Sequence, residues 1–137
     1  MYRAIKKFLL CLLLVGGGIL LTGCSKDDIG FRERDIWGTW RLIQVVRPDG
    51  SYYDLTTEEA EKIIEPTFAK FEKSGWYTGY GFYGYGHGTY TVSGNTITTY
   101  VAGDVYITYD VLEFHKNTVK LRMYSSSFRQ IVVAKKL

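Results

Sequence analysis

Short runs of alternating apolar and polar residues occupy most of the chain after Ile36. The clearest run is Thr118–Tyr124, in which Val119, Leu121 and Met123 alternate with Lys120 and Arg122. Successive side chains of a β-strand point to opposite faces, so this period of two predicts a strand with one buried face. Eight strands are predicted in all: Trp37–Arg47, Thr67–Lys73, Trp76–Tyr80, Gly88–Val92, Thr96–Val101, Val105–Phe114, Thr118–Tyr124 and Phe128–Lys135.

One segment between the first two predicted strands has a different period. Thr56 and Glu59 have the spacing of a capping box, in which the Thr caps a helix and the Glu reaches back to it. Three apolar residues then follow at helical spacing, namely Ala60, Ile63 and Ile64. Pro66 cannot continue a helix. The sequence therefore predicts one short amphipathic helix after the first strand.

The links between the predicted strands are short, as at Ser93-Gly94-Asn95 and Ser125-Ser126-Ser127. Links of this length force consecutive strands to pair in an antiparallel way. An eight-stranded meander either leaves two long edges exposed or closes on itself, and closure removes the edges. We therefore predict an all-β fold, a small antiparallel up-and-down barrel of about eight strands with one short helix. The interior of such a barrel is either packed or holds one small ligand.

The first residues of the chain have the pattern of a signal peptide. Arg3, Lys6 and Lys7 precede an apolar run that extends from Phe8 to Leu21. A plain transmembrane helix is the alternative, but this run is shorter than the about 20 apolar residues that a span needs. The run ends in Leu21-Thr22-Gly23-Cys24, which resembles the lipobox of bacterial lipoproteins.

The lipobox resemblance implies that Cys24 becomes the first mature residue and carries fatty acids such as palmitate. The chain then divides into a cleaved signal peptide (1–23), a lipidated N-terminus with a flexible tether (24–35) and a folded domain (36–137). Ser25-Lys26-Asp27-Asp28 resembles the acidic export signal of some Gram-negative lipoproteins. It implies an outer-membrane location and favours the cell surface over the periplasmic face. A solvated spacer is the alternative interpretation of this segment.

Charge and cysteine content narrow the possible functions. The chain has a formal net charge of +3, and Arg3, Lys6 and Lys7 of the predicted signal peptide account for that excess. A domain with balanced charge does not have the basic surface of a nucleic-acid-binding protein. Both cysteines, Cys11 and Cys24, lie before the folded domain. We therefore expect no disulfide, cysteine nucleophile or thiolate metal site in it.

The start of the first strand has a further resemblance. Gly38-Thr39-Trp40 resembles the G-x-W signature of lipocalins, and Gly88–Asn95 resembles a hairpin of the compact lipocalin-like domains that follow bacterial lipoprotein signals. In lipocalins, an arginine of the last strand packs across the signature tryptophan. The resemblance therefore implies a structural signature of Gly38, Trp40 and Arg129, with a cation–π contact that closes one end of the barrel.

The segment Trp76–Tyr90 interleaves aromatic residues with glycines. Such a composition is typical of adaptable binding loops, because tyrosine gives broad amphipathic contact area at low entropic cost. The candidate ligand contacts are Trp76, Tyr77, Tyr80, Phe82, Tyr83, Tyr85, His87 and Tyr90. The alternative is that these rings pack over the barrel and fill the space beside the glycines. Gly79–Gly84 spells G-x-G-x-x-G, but no helix is predicted after it, so we reject a nucleotide site.

The remaining chemistry points to binding rather than catalysis. His87 has neither thiolates nor clustered carboxylates beside it, so we predict no metal site and no cofactor. We see no nucleophile–base pair and expect no enzymatic activity. The leading hypothesis is a membrane-anchored lipoprotein whose barrel, or the loop above it, binds a small apolar or amphipathic ligand. The alternative is a protein-interaction or accessory module of an envelope complex that uses the Tyr/Gly-rich loop.

Overall fold

A computed structural model of the chain describes residues 29–137. The predicted signal peptide, Cys24 and the acidic signal at residues 25–28 lie outside the described residues. In the part that is described, no helix has both the length and the apolar character needed to cross a membrane. Phe31–Leu137 forms one compact unit.

Nine antiparallel strands form one sheet in this unit. They are β1 (Gly38–Val46), β2 (Tyr52–Asp54), β3 (Phe68–Phe71), β4 (Trp76–Tyr80), β5 (Gly86–Ser93), β6 (Thr96–Val101), β7 (Asp104–His115), β8 (Thr118–Tyr124) and β9 (Arg129–Lys136). Their order is β2-β1-β3-β4-β5-β6-β7-β8-β9, and β1 also pairs with β9. That pairing closes eight strands into a barrel and leaves β2 as an addition to β1. The predicted closed barrel is confirmed.

The strand β2 was not predicted from the sequence. The turn at Pro48-Asp49-Gly50 folds the chain back, and the N–H of Arg47 donates to the carbonyl oxygen of Ser51 over 2.7 Å. The carboxylate of Asp49 accepts hydrogen bonds from the N–H and hydroxyl of Ser51. Three residues of β2 then pair with the end of β1. This strand is too short to show a period of two in the sequence.

The single α-helix of the described residues, α1, spans Glu58–Ile63. Its N-cap is Thr57, whose hydroxyl oxygen accepts a hydrogen bond from the N–H of Ala60 over 3.1 Å. The predicted cap, Thr56, instead donates its N–H and hydroxyl to the carboxylate of Asp54. The predicted cap is therefore wrong by one residue, because an Asx turn at the end of β2 already uses Thr56. The predicted capping box with Glu59 is also wrong, since the residue that bonds to the cap is Ala60. Ala60 is fully buried, whereas Ile63 faces solvent.

The ordered domain begins earlier than predicted. A 3₁₀ helix spans Glu33–Ile36, so its first three residues lie in the segment 24–35 that was predicted to be a flexible tether. Phe31 is buried, and its ring makes an edge-to-face contact with Phe114 at a centroid distance of 5.8 Å. Ile36 is also buried, and its carbonyl oxygen accepts a hydrogen bond from the indole N–H of Trp40 over 2.8 Å. These contacts fix the 3₁₀ helix at the end of the barrel where β1 starts.

Candidate functional site

The barrel interior is a packed core. Trp40, Phe71 and Leu121 are all buried, as are the predicted inward residues Val119 and Met123 of β8. The cavity that remains between these side chains is about 20 Å³. A single water molecule needs at least about 10–15 Å³ on the same measure, whereas small-molecule pockets are about 300–1,000 Å³. The closed interior therefore has no room for a ligand.

Two of the candidate ligand contacts belong to this core. Tyr77 is 1% exposed and Tyr90 is 6% exposed. The hydroxyl of Tyr77 lies 3.2 Å from that of Tyr109, and the hydroxyl of Tyr90 donates to the carbonyl oxygen of Glu72 over 2.7 Å. Burial raises the pKa of Tyr77 to about 12 and raises that of Tyr109 well above its usual value. Tyr77 and Tyr90 are structural residues, which corrects their assignment as ligand contacts.

Three glycines of the Tyr/Gly-rich segment leave space for neighbouring groups. A Cβ atom at Gly79 would collide with the hydroxyl of Tyr77, and one at Gly86 would collide with the ring of Tyr106. A Cβ atom at Gly88 would collide with the carbonyl oxygen of Tyr100. For the inward-facing half of the segment, the packing interpretation therefore holds: aromatic rings occupy the space that the glycines leave.

The loop between β4 and β5 is packed against a second loop at the same end of the barrel. The ring of Tyr83 lies 5.3 Å from that of Phe128, which precedes β9. Tyr83 also makes an edge-to-face contact with Phe82, and partial burial raises the pKa of its hydroxyl. Phe82 itself is exposed. Tyr83 thus ties two loops together, while Phe82 remains free to contact another molecule.

The outward-facing half of the segment forms an open groove on β4 and β5. Trp76, Thr78 and Tyr80 alternate with the buried positions of β4, and Thr78 is paired with His87 of β5. The groove has a volume of about 580 Å³ and is lined by Thr78, Gly79, Tyr80, Tyr85, Gly86 and His87. Trp76, Tyr80 and Tyr85 are 47%, 39% and 67% exposed. We call this surface the aromatic groove.

His87 is held in a fixed position in the aromatic groove. Its ring stacks on that of Trp76, with centroids 5.1 Å apart and an angle of 6° between the planes. Its Nδ1 atom lies 2.9 Å from the hydroxyl oxygen of Thr78. Among the described residues, Nε2 has no hydrogen-bond partner, so this nitrogen is available to a ligand as a donor or an acceptor.

The other rings of the aromatic groove are also anchored. Tyr80 stacks on Phe68 at a centroid distance of 5.0 Å, and the guanidinium of Arg41 lies 6.0 Å from the Phe68 ring. The hydroxyl of Tyr85 donates to the carboxylate of Glu65, and this hydrogen bond raises the pKa of Tyr85. Aromatic faces and oriented polar atoms therefore lie side by side before any ligand arrives.

Two residues of this surface were missed by the sequence analysis. Thr78 lies between Trp76 and Tyr80 on the outer face of one strand, so the period of two contained the signal that places it there. Glu65 precedes Pro66 in the connection after α1 and reaches Tyr85 only because of tertiary folding. No local pattern of the sequence pairs Glu65 with Tyr85.

The structural signature differs from the prediction in one residue. The ammonium group of Lys136 lies 5.3 Å from the centre of the Trp40 ring, whereas the guanidinium of Arg129 lies 5.8 Å from the ring of Tyr124. The register of β1 and β9 pairs Trp40 with Lys136, at the far end of β9 from Arg129. The predicted contact of Arg129 with Trp40 is therefore wrong. Gly38 has a φ of +126° and lies beside the Lys136 side chain.

Comparison with known protein families shows what the chain is similar to. A family model described as a lipocalin-like domain matches residues 36–121, which extend from the end of the 3₁₀ helix into β8. No curated protein sequence matches the chain. Within residues 29–137, no group of three or more His, Cys, Asp or Glu side chains is arranged to hold a metal ion.

Proposed function

Since the match covers more than half of its length, the chain belongs to the lipocalin-like domain family, and we propose that it is a lipid-anchored, non-enzymatic binding protein of the outer membrane. Its barrel is a ligand-binding type of domain. The proposed ligand is a small amphipathic molecule held in the aromatic groove, on the outside of the barrel.

The observation that carries this proposal is the arrangement of side chains around the aromatic groove. Tyr80 and Tyr85 present exposed ring faces, and Trp76 adjoins them through its stacking contact with His87. An apolar ligand face gains contact area on such rings, while Thr78 and the free nitrogen of His87 offer hydrogen bonds to its polar edge. A sugar ring has this combination of an apolar face and polar edges.

The packed interior supports an outer site rather than an inner one. A cavity of about 20 Å³ excludes a ligand from the barrel, whereas the aromatic groove has about 580 Å³. The groove is open to solvent, so a ligand would lie with one face on its rings. The leading hypothesis is thereby narrowed to the surface of the Tyr/Gly-rich segment.

The proposed anchor is a diacylglycerol on Cys24, with a further fatty acid on its amine. Its support is the lipobox-like stretch that ends in Cys24 and the charged and apolar regions before it. Two acyl chains are enough for stable attachment to a bilayer. With the acidic signal after Cys24, the proposed location is the outer membrane, with the domain on the cell surface.

Native mass spectrometry tests the proposed site. The chain from Ser25 to Leu137 is incubated with a lipid and polysaccharide extract of the bacterial envelope, and the masses it retains are recorded. We expect a specific adduct that the double variant Tyr80→Ala/Tyr85→Ala loses. The matched control is Tyr52→Ala/Val105→Ala, which removes two exposed apolar side chains that do not line the groove. An adduct that survives the first variant would contradict the proposed site.

A second candidate function is docking onto a protein of the envelope. The observation that favours it is Phe82, which is 54% exposed beside Tyr83 and has no role in the aromatic groove. Exposed aromatic side chains are enriched at protein interfaces. If no small molecule is retained, a partner whose binding is weakened by Phe82→Ala would support this function instead.

A further inference from the structure

A second cleft, of different chemistry, lies on the opposite side of the barrel. It has a volume of about 270 Å³ and is lined by Val46, Arg47, Pro48, Arg122, Arg129, Gln130 and Ile131. Its residues come from β1, β8 and β9 and from the turn after β1. The aromatic groove is on β4 and β5, so the two surfaces are separated by strands on both sides. We call this second surface the arginine cleft.

Strand register brings the three arginines together. Ile131 of β9 pairs with both Val46 of β1 and Arg122 of β8, so these residues form one row across three strands. Arg129 pairs with Tyr124, two residues further along β8 on the same face as Arg122. Arg47 directly follows the end of β1. The three arginines therefore line one cleft only because β1 pairs with β9 and closes the barrel.

Carboxylates neutralise this cluster only in part. Asp110 lies 3.5 Å from Arg122, and it also accepts hydrogen bonds from Thr96 over 3.0 Å and from Tyr124 over 3.4 Å. Arg129 contacts the ring of Tyr124 and has no carboxylate partner among the described residues.

Arg47 completes the charge distribution of the cleft. It donates to two neutral oxygens, the Ser51 hydroxyl at 3.2 Å and the Tyr52 carbonyl at 3.3 Å. Arg47 also acts on the carboxylate of Asp49. The pKa of Asp49 is lowered mainly by its hydrogen bonds with Ser51 and to a smaller degree by the charge of Arg47. Of the three arginines that line the cleft, only Arg122 is directly paired with a carboxylate among the described residues, so the cleft has excess positive charge.

We propose that the arginine cleft binds a phosphoryl group. The planar guanidinium fork matches phosphate oxygens with paired hydrogen bonds, and several arginines around one cleft are typical of phosphate recognition. The volume of about 270 Å³ is slightly below the range of drug-sized sites, which suits a phosphoryl group and a small attached moiety. Val46, Pro48 and Ile131 supply apolar walls for that moiety. The phosphoryl group belongs either to a phospholipid head group or to a free phosphate ester.

Titration of the full chain in a non-ionic detergent tests this proposal. The arginine Nε–H signals are followed by NMR while inorganic phosphate is added in one series and the short-chain lipid dihexanoyl-phosphatidylglycerol in another. Sodium chloride at equal ionic strength gives the baseline, because salt screens non-specific attraction. Saturable shifts with both compounds would show that the cleft binds a phosphoryl group whether or not a lipid carries it. Saturable shifts with the lipid alone would show that the cleft binds a phospholipid head group. No saturable shift with either compound overturns the proposal.

Variants separate the arginine cleft from general charge effects. Arg129→Gln and Arg47→Gln should each weaken binding at least about tenfold, because each removes a charged hydrogen bond to the anion. Arg34→Gln is the matched control, since Arg34 is exposed in the 3₁₀ helix at the other end of β1. Asp110→Asn should strengthen binding, because it frees Arg122 from its carboxylate. An equal loss in Arg34→Gln, or weaker binding in Asp110→Asn, overturns the proposal.

Discussion

The ammonium group of Lys136 lies over the ring of Trp40, 5.3 Å from its centre, where the first and last strands of the barrel meet. Trp40 is almost fully buried, and its indole N–H is bonded to the carbonyl oxygen of Ile36. One tryptophan therefore joins three parts of the chain: the 3₁₀ helix, β1 and β9. The cation covers the end of the barrel that was predicted to be covered by Arg129.

Loss of the Lys136 charge should destabilise the domain. In Lys136→Met the aliphatic stem is kept, so the expected decrease in the free energy of unfolding is that of the cation–π contact, about 0.5–2 kcal/mol. Urea unfolding of the chain from Ser25 to Leu137, followed by circular dichroism, measures it. The control Lys135→Met changes an exposed residue of the same strand and should cost less. Arg129→Met would be the costlier variant only if the original prediction were correct.

The buried tyrosine pair should make stability fall at high pH. The pKa of Tyr77 is raised to about 12, mainly by burial, above the usual value of about 10. A raised folded-state pKa gives stability that is complete below pH 10 and is lost as the pH rises toward 12. The expected loss over this window is about 2–3 kcal/mol for Tyr77.

Absorbance of tyrosinate during an alkaline titration measures this effect. The buried pair should ionise only as the barrel unfolds, whereas exposed residues such as Tyr52 should ionise earlier. In Tyr77→Phe the absorbance gained on unfolding should be smaller by one tyrosine. If all tyrosines titrated together near pH 10 in the folded protein, the burial of the pair would be refuted.

Gly79 should not tolerate a side chain while Tyr77 keeps its hydroxyl. Gly79→Ala places a methyl group against that hydroxyl, so we expect overpacking to lower the free energy of unfolding by about 1–3 kcal/mol. Tyr77→Phe removes the colliding oxygen and should reduce the penalty of Gly79→Ala. A double-mutant cycle measured by urea unfolding gives the coupling between the two sites. Additive effects would show that the glycine is not required by the ring.

Cys24→Ala should release the protein from the membrane. The substitution removes the residue that the lipobox resemblance assigns to lipid attachment, and about 0.8 kcal/mol of membrane affinity is lost with each buried methylene group. Cells are labelled with palmitate and separated into membrane and soluble fractions. The wild type should be labelled and sediment with membranes. Membrane retention of an unlabelled Cys24→Ala protein would count against the anchor; Cys11→Ala is the control and should behave as the wild type.

The sequence by itself determined most of the strands, because alternation is a local property. Three strands have the predicted bounds, and Val119, Leu121 and Met123 face inward as their spacing requires. The short links then predict antiparallel pairing of consecutive strands, and the cost of exposed sheet edges predicts that the sheet closes into a barrel. The order of elements around Gly38 and Trp40 was enough to predict the family.

Only the tertiary structure decided how the Tyr/Gly-rich segment is divided. Tyr77 and Tyr90 point inward, while Tyr80 and His87 point outward, and Tyr83 packs on a loop that lies more than forty residues later in the sequence. From composition alone, every aromatic residue of such a segment is an equally good candidate for a ligand contact. Strand pairing determines which ring reaches solvent, and it depends on residues that are distant in the sequence.

Tertiary structure also decided which cation covers Trp40 and whether the barrel is hollow. Lys136 and Arg129 both lie on the last strand, and only the β1–β9 register selects between them. The volume of the interior is a small difference between the space that the strands enclose and the side chains that fill it. Trp40, Phe71 and Tyr109 contribute to that filling from different strands. No local pattern in the sequence gives this difference in volume. Only the tertiary structure therefore moved the proposed ligand site from the interior of the barrel to its outer face.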